Sequence, residues 1–546
     1  MSAEPEAARP DSTSPESTSP EQGGSAEKGA SPDQELGGPY SRYVLGVLVL
    51  VYVLNFLDRQ IITILAEDIK RDLGISDAEI GFLYGTAFAV FYAVFGIPLG
   101  RLADVWSRRS LIAVGLSFWS AMTAVSGMAR TFGQLAAARI GVGVGEASAS
   151  PAAFSMLSDS FPPRLRATVL AIYSSGVYIG AGLGILIGGQ VVDRWNSAFP
   201  SGGAPFGLAG WQAAYLAVGL PGLLLAIWVR TLREPVRGAA DGYAVKQEDH
   251  PFQQFFLELR AVVPPLTLWY LARAGAGRRG VVINLLIAAG IAVVAALLAW
   301  LTGSTAQWVA LGVGVYAAAS WMQGLSLRDR PAATLILRTA SLRDMAIGFS
   351  LLAFTGYGIG GWTPAFFIRI HGEESARVGN LVGSTAAIAG MIGVTLGGVI
   401  ADALRRRSPG GRLLMGMVVA VLPVPLGIWM LSVPDANSAY MINVPLTMLS
   451  AMWIGAGAST VQDLVLPRMR SMASAFYILV ITFIGFALGP YGIGRLSDAL
   501  GDLPAAMRWS LVMNILAVVF LARAMRGVGR DEDSLRERAR AAGESV

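Results

Sequence analysis

Gly100-Arg101-Leu102-Ala103-Asp104-Val105-Trp106-Ser107-Arg108-Arg109 joins two apolar runs, residues 80–101 and 110–128. The charged part of this stretch can reverse a chain but cannot bury anything. The two runs therefore read as consecutive helices. A membrane-crossing helix needs about 20 predominantly apolar residues, and both runs meet that length. A related string, Gly398-Val399-Ile400-Ala401-Asp402 followed by Arg405, Arg406 and Arg407, recurs in the second half of the chain. Glycine lets helices approach closely. An aspartate can accept N–H groups at a neighbouring helix start, where the dipole is positive. Arginines can bridge to carboxylates on moving helices. The alternative is a plain helix end with ordinary loop charges, but repetition in both halves favours an internal repeat.

Working outward, further apolar runs lie at 43–65, 133–157, 168–191 and 211–230. Two follow at 281–301 and 306–325, and six at 344–369, 378–401, 411–432, 441–466, 472–494 and 506–525. The expectation is fourteen helices. Short segments of alternating polarity, the mark of a membrane β-barrel, are not seen. The chain is 54% hydrophobic and only 14% charged, where soluble domains carry about a quarter charged residues. A mean hydropathy of +0.54 over this length requires a lipid-facing surface.

The net charge of +5 does not indicate nucleic acid, because the arginines sit in short loops. Arg101, Arg108, Arg109, Arg164, Arg166, Arg230, Arg233 and Arg237 mark one side in the first half. Arg405, Arg406, Arg407, Arg412, Arg468, Arg470, Arg523 and Arg526 mark it in the second. Both termini are expected in the cytoplasm of a bacterial cell, the chain being a multi-pass inner-membrane protein. There is no cysteine, His250 and His371 are the only histidines, and no metal-ligand spacing occurs. No cofactor is implied. No nucleophile elbow or phosphate loop occurs, which argues against an enzyme and against ATP drive.

Residues 1–39, rich in Pro, Ser, Glu and Gly, read as a disordered cytoplasmic tail and not a signal peptide. Residues 40–232 form a first six-helix bundle and 343–526 a second, with a tail over 527–546. Between them, 233–342 is a linker carrying an inserted transmembrane hairpin, 281–325. Phe252, Phe255, Phe256, Leu259, Val262 and Val263 recur at helical spacing within it. They suit a helix lying on the membrane surface, or equally one packed at the cytoplasmic side.

Asp58, Arg59 and Glu146 are charges inside apolar spans. Each costs about 2.5–3.5 kcal/mol near the bilayer centre, while a surrounding leucine or valine contributes about 0.3–0.6 kcal/mol. Such groups face a bundle interior or a wet cavity. Arg59 lies roughly 7 Å beyond the centre of its span, within reach of Glu146. Apolar surroundings disfavour a charged carboxylate and a nearby guanidinium favours it. A carboxyl that Arg59 leaves would take up a proton. A permanent ion pair that only fixes packing is the competing account.

These strings resemble known ones. Gly100 to Arg109 resembles the loop signature of the major facilitator superfamily, Arg139 with Gly143 its fourth-helix motif, and Gly180 to Gly189 its glycine-rich fifth helix. Asn55-Phe56-Leu57-Asp58-Arg59, Gly145-Glu146-Ala147-Ser148 and Arg233-Glu234-Pro235-Val236-Arg237-Gly238 resemble the spinster lysolipid and sphingolipid transporters. The resemblance implies two pseudo-symmetric six-helix bundles around a cavity lined by helices one, four, seven and ten. It implies proton coupling by Asp58, Arg59 and Glu146, and gating by Gly100, Asp104, Arg108, Arg109, Arg139 and Asp402. Substrate contacts are expected from Asn55, Glu146, Tyr357, Trp362 and Gln462. Tyr357 and Trp362 either pack helices or receive an amphiphile's apolar part. A bend near Trp362 is expected, where Gly360, Gly361 and Pro364 weaken the helix. The implied partners are protons, membrane lipids and an amphiphilic or lipid substrate, with the protein a monomer that binds no nucleic acid. The competing functions are proton-coupled efflux of drugs, transport of a small organic anion, and a non-pumping lipid sensor or scramblase.

Overall fold

The computed structural model describes residues 36–200, 203–241 and 250–544, all helix, turn or loop. Most of the predicted 1–39 tail lies outside the described residues. The first bundle consists of α1 (Pro39–Leu73), α2 (Asp77–Val105), α3 (Arg108–Ser126), α4 (Phe132–Glu146), α5 (Ala149–Ser160), α6 (Arg166–Ala198) and α7 (Gly210–Arg230). Here α4 and α5 are two pieces of one predicted span, parted at Ala147 and Ser148. The linker holds α8 (Pro251–Val262), α9 (Leu266–Arg273), α10 (Gly277–Thr302), α11 (Thr305–Arg328) and α12 (Arg330–Arg338). The second bundle is α13 (Ala340–His371), α14 (Ser375–Arg405), α15 (Gly411–Met430), α16 (Ala436–Asp463), α17 (Pro467–Leu500) and α18 (Leu503–Asp533). A short α19 (Leu535–Ala541) follows.

Eleven of these helices are long and apolar enough to cross a membrane, or twelve if α8 and α9, bent by 106°, count as one. The helices at the predicted spans 110–128, 133–157 and 306–325 form but do not meet that measure on their own. The reason is visible for α4, which the break at Ala147 and Ser148 cuts to 15 residues. The predicted 527–546 tail is instead helical through most of its described length, tied down by Arg405 to Glu532 at 2.7 Å and by Arg538 to Thr339. At the bend predicted near Trp362, α13 keeps its helical winding, running unbroken from Ala340 to His371. Thr363 Oγ1 donates to the Ile359 carbonyl at 2.8 Å, a side-chain bond beside the N–H that Pro364 lacks.

The two bundles are clasped at one end. Arg369 of α13 pairs with Glu67 of α1 at 2.6 Å and with Asp77 of α2 at 2.7 Å. Asp498 of α17 accepts the backbone N–H groups of Asp77 and Ala78 at 3.0 and 2.8 Å. Backbones approach closely here because the residues are glycines. A Cβ on Gly494 would stand 2.2 Å from the Asp77 carbonyl oxygen, and one on Gly81 would stand 2.5 Å from that of Pro490. At the other end, where the arginines cluster, Gly100 and Gly398 face open space. Gly100, expected to bring helices together, does not do so, because no neighbour stands within 4 Å of where its side chain would be.

The inserted hairpin lies across the seam between α2 and α17. Gly314 of α11 is wedged against Val90 of the first bundle and Phe483 of the second, which a Cβ would meet at 2.6 and 3.2 Å. Its helices are joined by buried polar groups: Asn284 donates to Ser320 and Gln323 at 3.0 and 2.9 Å and accepts from Tyr316 at 2.7 Å. The amphipathic α8 sets Phe252 against Trp106, ring centroids 5.3 Å apart, while Phe252, Phe256 and Leu257 stay exposed. In α17, residues Ile481–Ala487 wind as a π-helix.

Candidate functional site: a buried ion pair beside a neutral cavity

Asn55, Asp58 and Arg59 fall on successive turns of α1, so 100° per residue puts Asn55 and Arg59 on one face and Asp58 on another. Arg59 Nη2 donates to Glu146 Oε2 at 2.8 Å, with the glutamate fully buried and the arginine side chain 13% exposed. The guanidinium is boxed by rings, 4.3 Å from the Phe88 centroid, 4.4 Å from Phe56 and 5.2 Å from Tyr92. Ring faces favour a cation there, and more so when water is excluded. Asn55 is buried beside Glu146, yet Glu146 Oε1 has no hydrogen-bond partner.

Asp58 takes no part in that pair. It is buried against Trp119 and Thr123 of α3. Asp58 Oδ1, Trp119 Nε1 and Thr123 Oγ1 are all buried without hydrogen-bond partners. Arg139, fully buried, donates to the backbone carbonyls of Asp58 and Arg59 at 3.1 and 3.4 Å. It therefore holds the α1 backbone where the two charges project.

A cavity of about 240 Å3 lies on the second-bundle side of this pair. Its polar groups are all neutral, among them Gln60, Thr355, Tyr357, Asn443, Thr447 and Asn514. Tyr357 connects cavity to ion pair, its ring 4.8 Å from that of Phe486, which borders the guanidinium at 6.0 Å. Of the expected contact residues Tyr357 alone lines this cavity; Asn55 and Glu146 stay at the ion pair, and Trp362 and Gln462 lie farther off. Trp362 is five residues, about 140°, around α13 from Tyr357; its indole N–H donates to the Pro490 carbonyl at 2.9 Å in the clasped seam. Gln462 lies about 12 Å along α16 beyond Ile454, the last cavity residue of that helix. It lines a separate cleft with Arg405, Asp463 and Glu532.

The loop motif forms a lock between the first bundle and the start of the linker. Arg108, fully buried, pairs with Asp159 and, through Nε, with Glu234 Oε1 at 2.8 Å. Glu234 also accepts the backbone N–H groups of Arg108 and Arg109 at 3.1 and 3.0 Å. It thus performs the helix-start capping expected of Asp104. Asp104 instead points out, 64% exposed and 3.9 Å from Arg101. Arg109 donates to the Leu232 carbonyl at 2.7 Å. The second bundle repeats the theme. Asp402 pairs with Arg412 at 2.8 Å, Arg412 with Asp463, and Arg405 with Asp463 and Glu532.

Sequence reasoning missed Glu234, the ring box and the Arg369 clasp. Arg369 carried a signal: it is a cation at the span end where the arginine-poor side was expected.

The matching family model spans residues 48–490. The chain belongs to the Major Facilitator Superfamily. This superfamily transporter is 25% identical to an MFS-type efflux pump of Mycolicibacterium smegmatis, over 84% of this chain and 85% of that one. It is 27% identical to protein spinster homolog 1 of Bos taurus, over 87% and 78% respectively. A solved structure of a bacterial homolog to the human lysosomal transporter spinster, inward-facing and unoccupied, matches with a TM-score of 0.67 at 25% identity. That match covers 90% of this chain and 98% of the other. Within the superfamily the chain is spinster-like.

Proposed function

We propose that this transporter moves a lysophospholipid or sphingolipid-like amphiphile in exchange for protons, by alternating access. The observation that supports this reading is the buried Arg59–Glu146 pair with the unpaired Asp58 next to it, separated from an uncharged cavity by the rings of Phe486 and Tyr357. A buried charge that loses its partner is costly. When a substrate headgroup draws Arg59 away, Glu146 takes a proton; when Arg59 returns, the proton leaves on the side then open. Asp58 is the second acceptor. The neutral cavity takes the apolar portion of the substrate.

In this reading the protein is a monomer in a bacterial inner membrane, with fourteen crossings and both termini cytoplasmic. The arginine-rich end is cytoplasmic and the Arg369 clasp is outermost, so the conformation is inward-facing. Asp104, exposed here, finds a partner at the start of α17 when the inner end closes. Proton-coupled drug efflux is the second reading, favoured by the absence of charge in the cavity and by the relative named as an efflux pump.

The test is uptake of a fluorescent lysophospholipid into proteoliposomes under an imposed pH gradient. Accumulation that an uncoupler abolishes, and that Glu146→Gln lacks, is expected. Coupled accumulation surviving in Glu146→Gln would overturn the proton assignment. Equilibration without accumulation would indicate a scramblase or sensor.

A further inference from the structure

The tip of the inserted hairpin encloses a second cavity, of about 510 Å3, at the clasped end. Three parts of the molecule line it: Glu79 and Phe82 from the start of α2, Thr302 and Gln307 from the hairpin, and Tyr491 and Arg495 from α17.

Two observations point to a missing ligand. Gln307 is 1% exposed, and both its amide nitrogen and its amide oxygen lack a hydrogen-bond partner. An unpaired buried polar group costs about 1–3 kcal/mol, so a side chain kept this way has a use for it or a partner not shown. Second, among the described residues Arg495 makes no ion pair or hydrogen bond, although it lines the same space. The cavity's carboxylates are already engaged, Glu79 by the Ser76 N–H at 2.9 Å and Asp498 by the N–H groups at the start of α2. The unsatisfied set is therefore one guanidinium, one amide donor, one amide acceptor and the Tyr491 hydroxyl. Phe82 and Phe132, ring centroids 5.7 Å apart, and Tyr491 against Trp308, also 5.7 Å, supply apolar walls. Beside the tip, Trp300 and Leu301 are 80% and 58% exposed, as suits side chains at the boundary between lipid and water.

We infer that this cavity binds a phosphate ester bearing a hydroxyl or amino group, the chemistry of a phospholipid headgroup, with Arg495 on the phosphate and the Gln307 amide bridging phosphate and hydroxyl or amine. Arginine suits phosphate because its donors form a planar fork. Since both bundles and the hairpin contribute, the site is complete only while the outer end is closed. A bound headgroup therefore favours the inward-facing state. The site does not depend on which substrate the central cavity carries.

The test uses full-length protein in detergent and three probes: a short-chain phosphatidylethanolamine below its micelle concentration, glycerol phosphate and inorganic phosphate. Thermal shift and hydrogen exchange at 302–307 and 491–498 are the readouts. The phospholipid is expected to raise the melting temperature and protect both segments. Arg495→Gln is expected to weaken it by about tenfold or more. Gln307→Leu is expected to lose the ligand response while melting no lower than wild type without ligand. Stronger binding of the phospholipid than of glycerol phosphate identifies a lipid. Equal binding identifies a soluble phosphate ester, and both outcomes support the site. Binding of inorganic phosphate alone, or responses unchanged in Arg495→Gln and Gln307→Leu, would overturn it.

Discussion

Arg59 and Glu146 share a hydrogen bond where neither charge could stand alone, and that dependence makes them informative to change. Glu146→Ala should cost about 3–5 kcal/mol, since it strands a buried guanidinium. Glu146→Gln keeps an acceptor and most of the volume, so it should fold and lose coupling. Comparing melting temperature with gradient-driven uptake for the two variants separates stability from mechanism. Glu234 offers a pH test outside the membrane. Burial raises its carboxyl, but the Arg108 side chain and the backbone N–H of Arg109 outweigh that and hold it below the ordinary glutamate value. A group depressed by folding contributes stability above its unfolded value, about 4.3, and loses it as pH falls through the folded value. Protection of residues 231–238 against hydrogen exchange should hold from pH 7 to about pH 5 and fall below about pH 4. Glu234→Gln should remove that acid-dependent step; an identical pH profile in the variant would show that Glu234 is not its source.

At the scale of the helix, small residues report which ends are shut. Gly494→Ala or Gly81→Ala places a methyl group within 2.6 Å of backbone on the opposite bundle. Either should push the outer ends apart and shift the population toward the outward-open form. Distances between spin labels across that end should lengthen. Gly398→Ala meets nothing within 4 Å and should leave the same distances unchanged. Helix positions were legible in the sequence because twenty apolar residues in lipid leave few options but a helix. Rotation about each axis was not. When lipid and protein neighbours are equally apolar, hydropathy does not say which face is turned inward. That is why Tyr357 and Trp362, on the same helix, read alike in the sequence although one lines the cavity and the other packs in the seam.

For the molecule as a whole, the insertion adds a third body to the usual two. Its place against the α2–α17 seam was not readable, because Val90, Gly314 and Phe483 meet across hundreds of residues and no local pattern joins them. The Arg59–Glu146 pair was readable across 87 residues, because charges inside lipid must find each other while apolar contacts have many equivalent partners. The hairpin's own cohesion rests on Asn284. Asn284→Ala would leave Tyr316, Ser320 and Gln323 short of partners and should loosen α10 from α11. Faster hydrogen exchange over 277–328, with 39–73 unaffected, is the expected result; equal exchange throughout would show that apolar packing alone suffices.

The wide turn at Ile481–Ala487 stores about one residue more than an ordinary turn would. Tightening it would spin everything beyond by about 100° and push it onward by about 1.5 Å. Tyr491 and Arg495 ride on that downstream stretch. A helix built this way can withdraw its fingers from the hairpin without tilting at all, a ratchet for which the membrane need make no room.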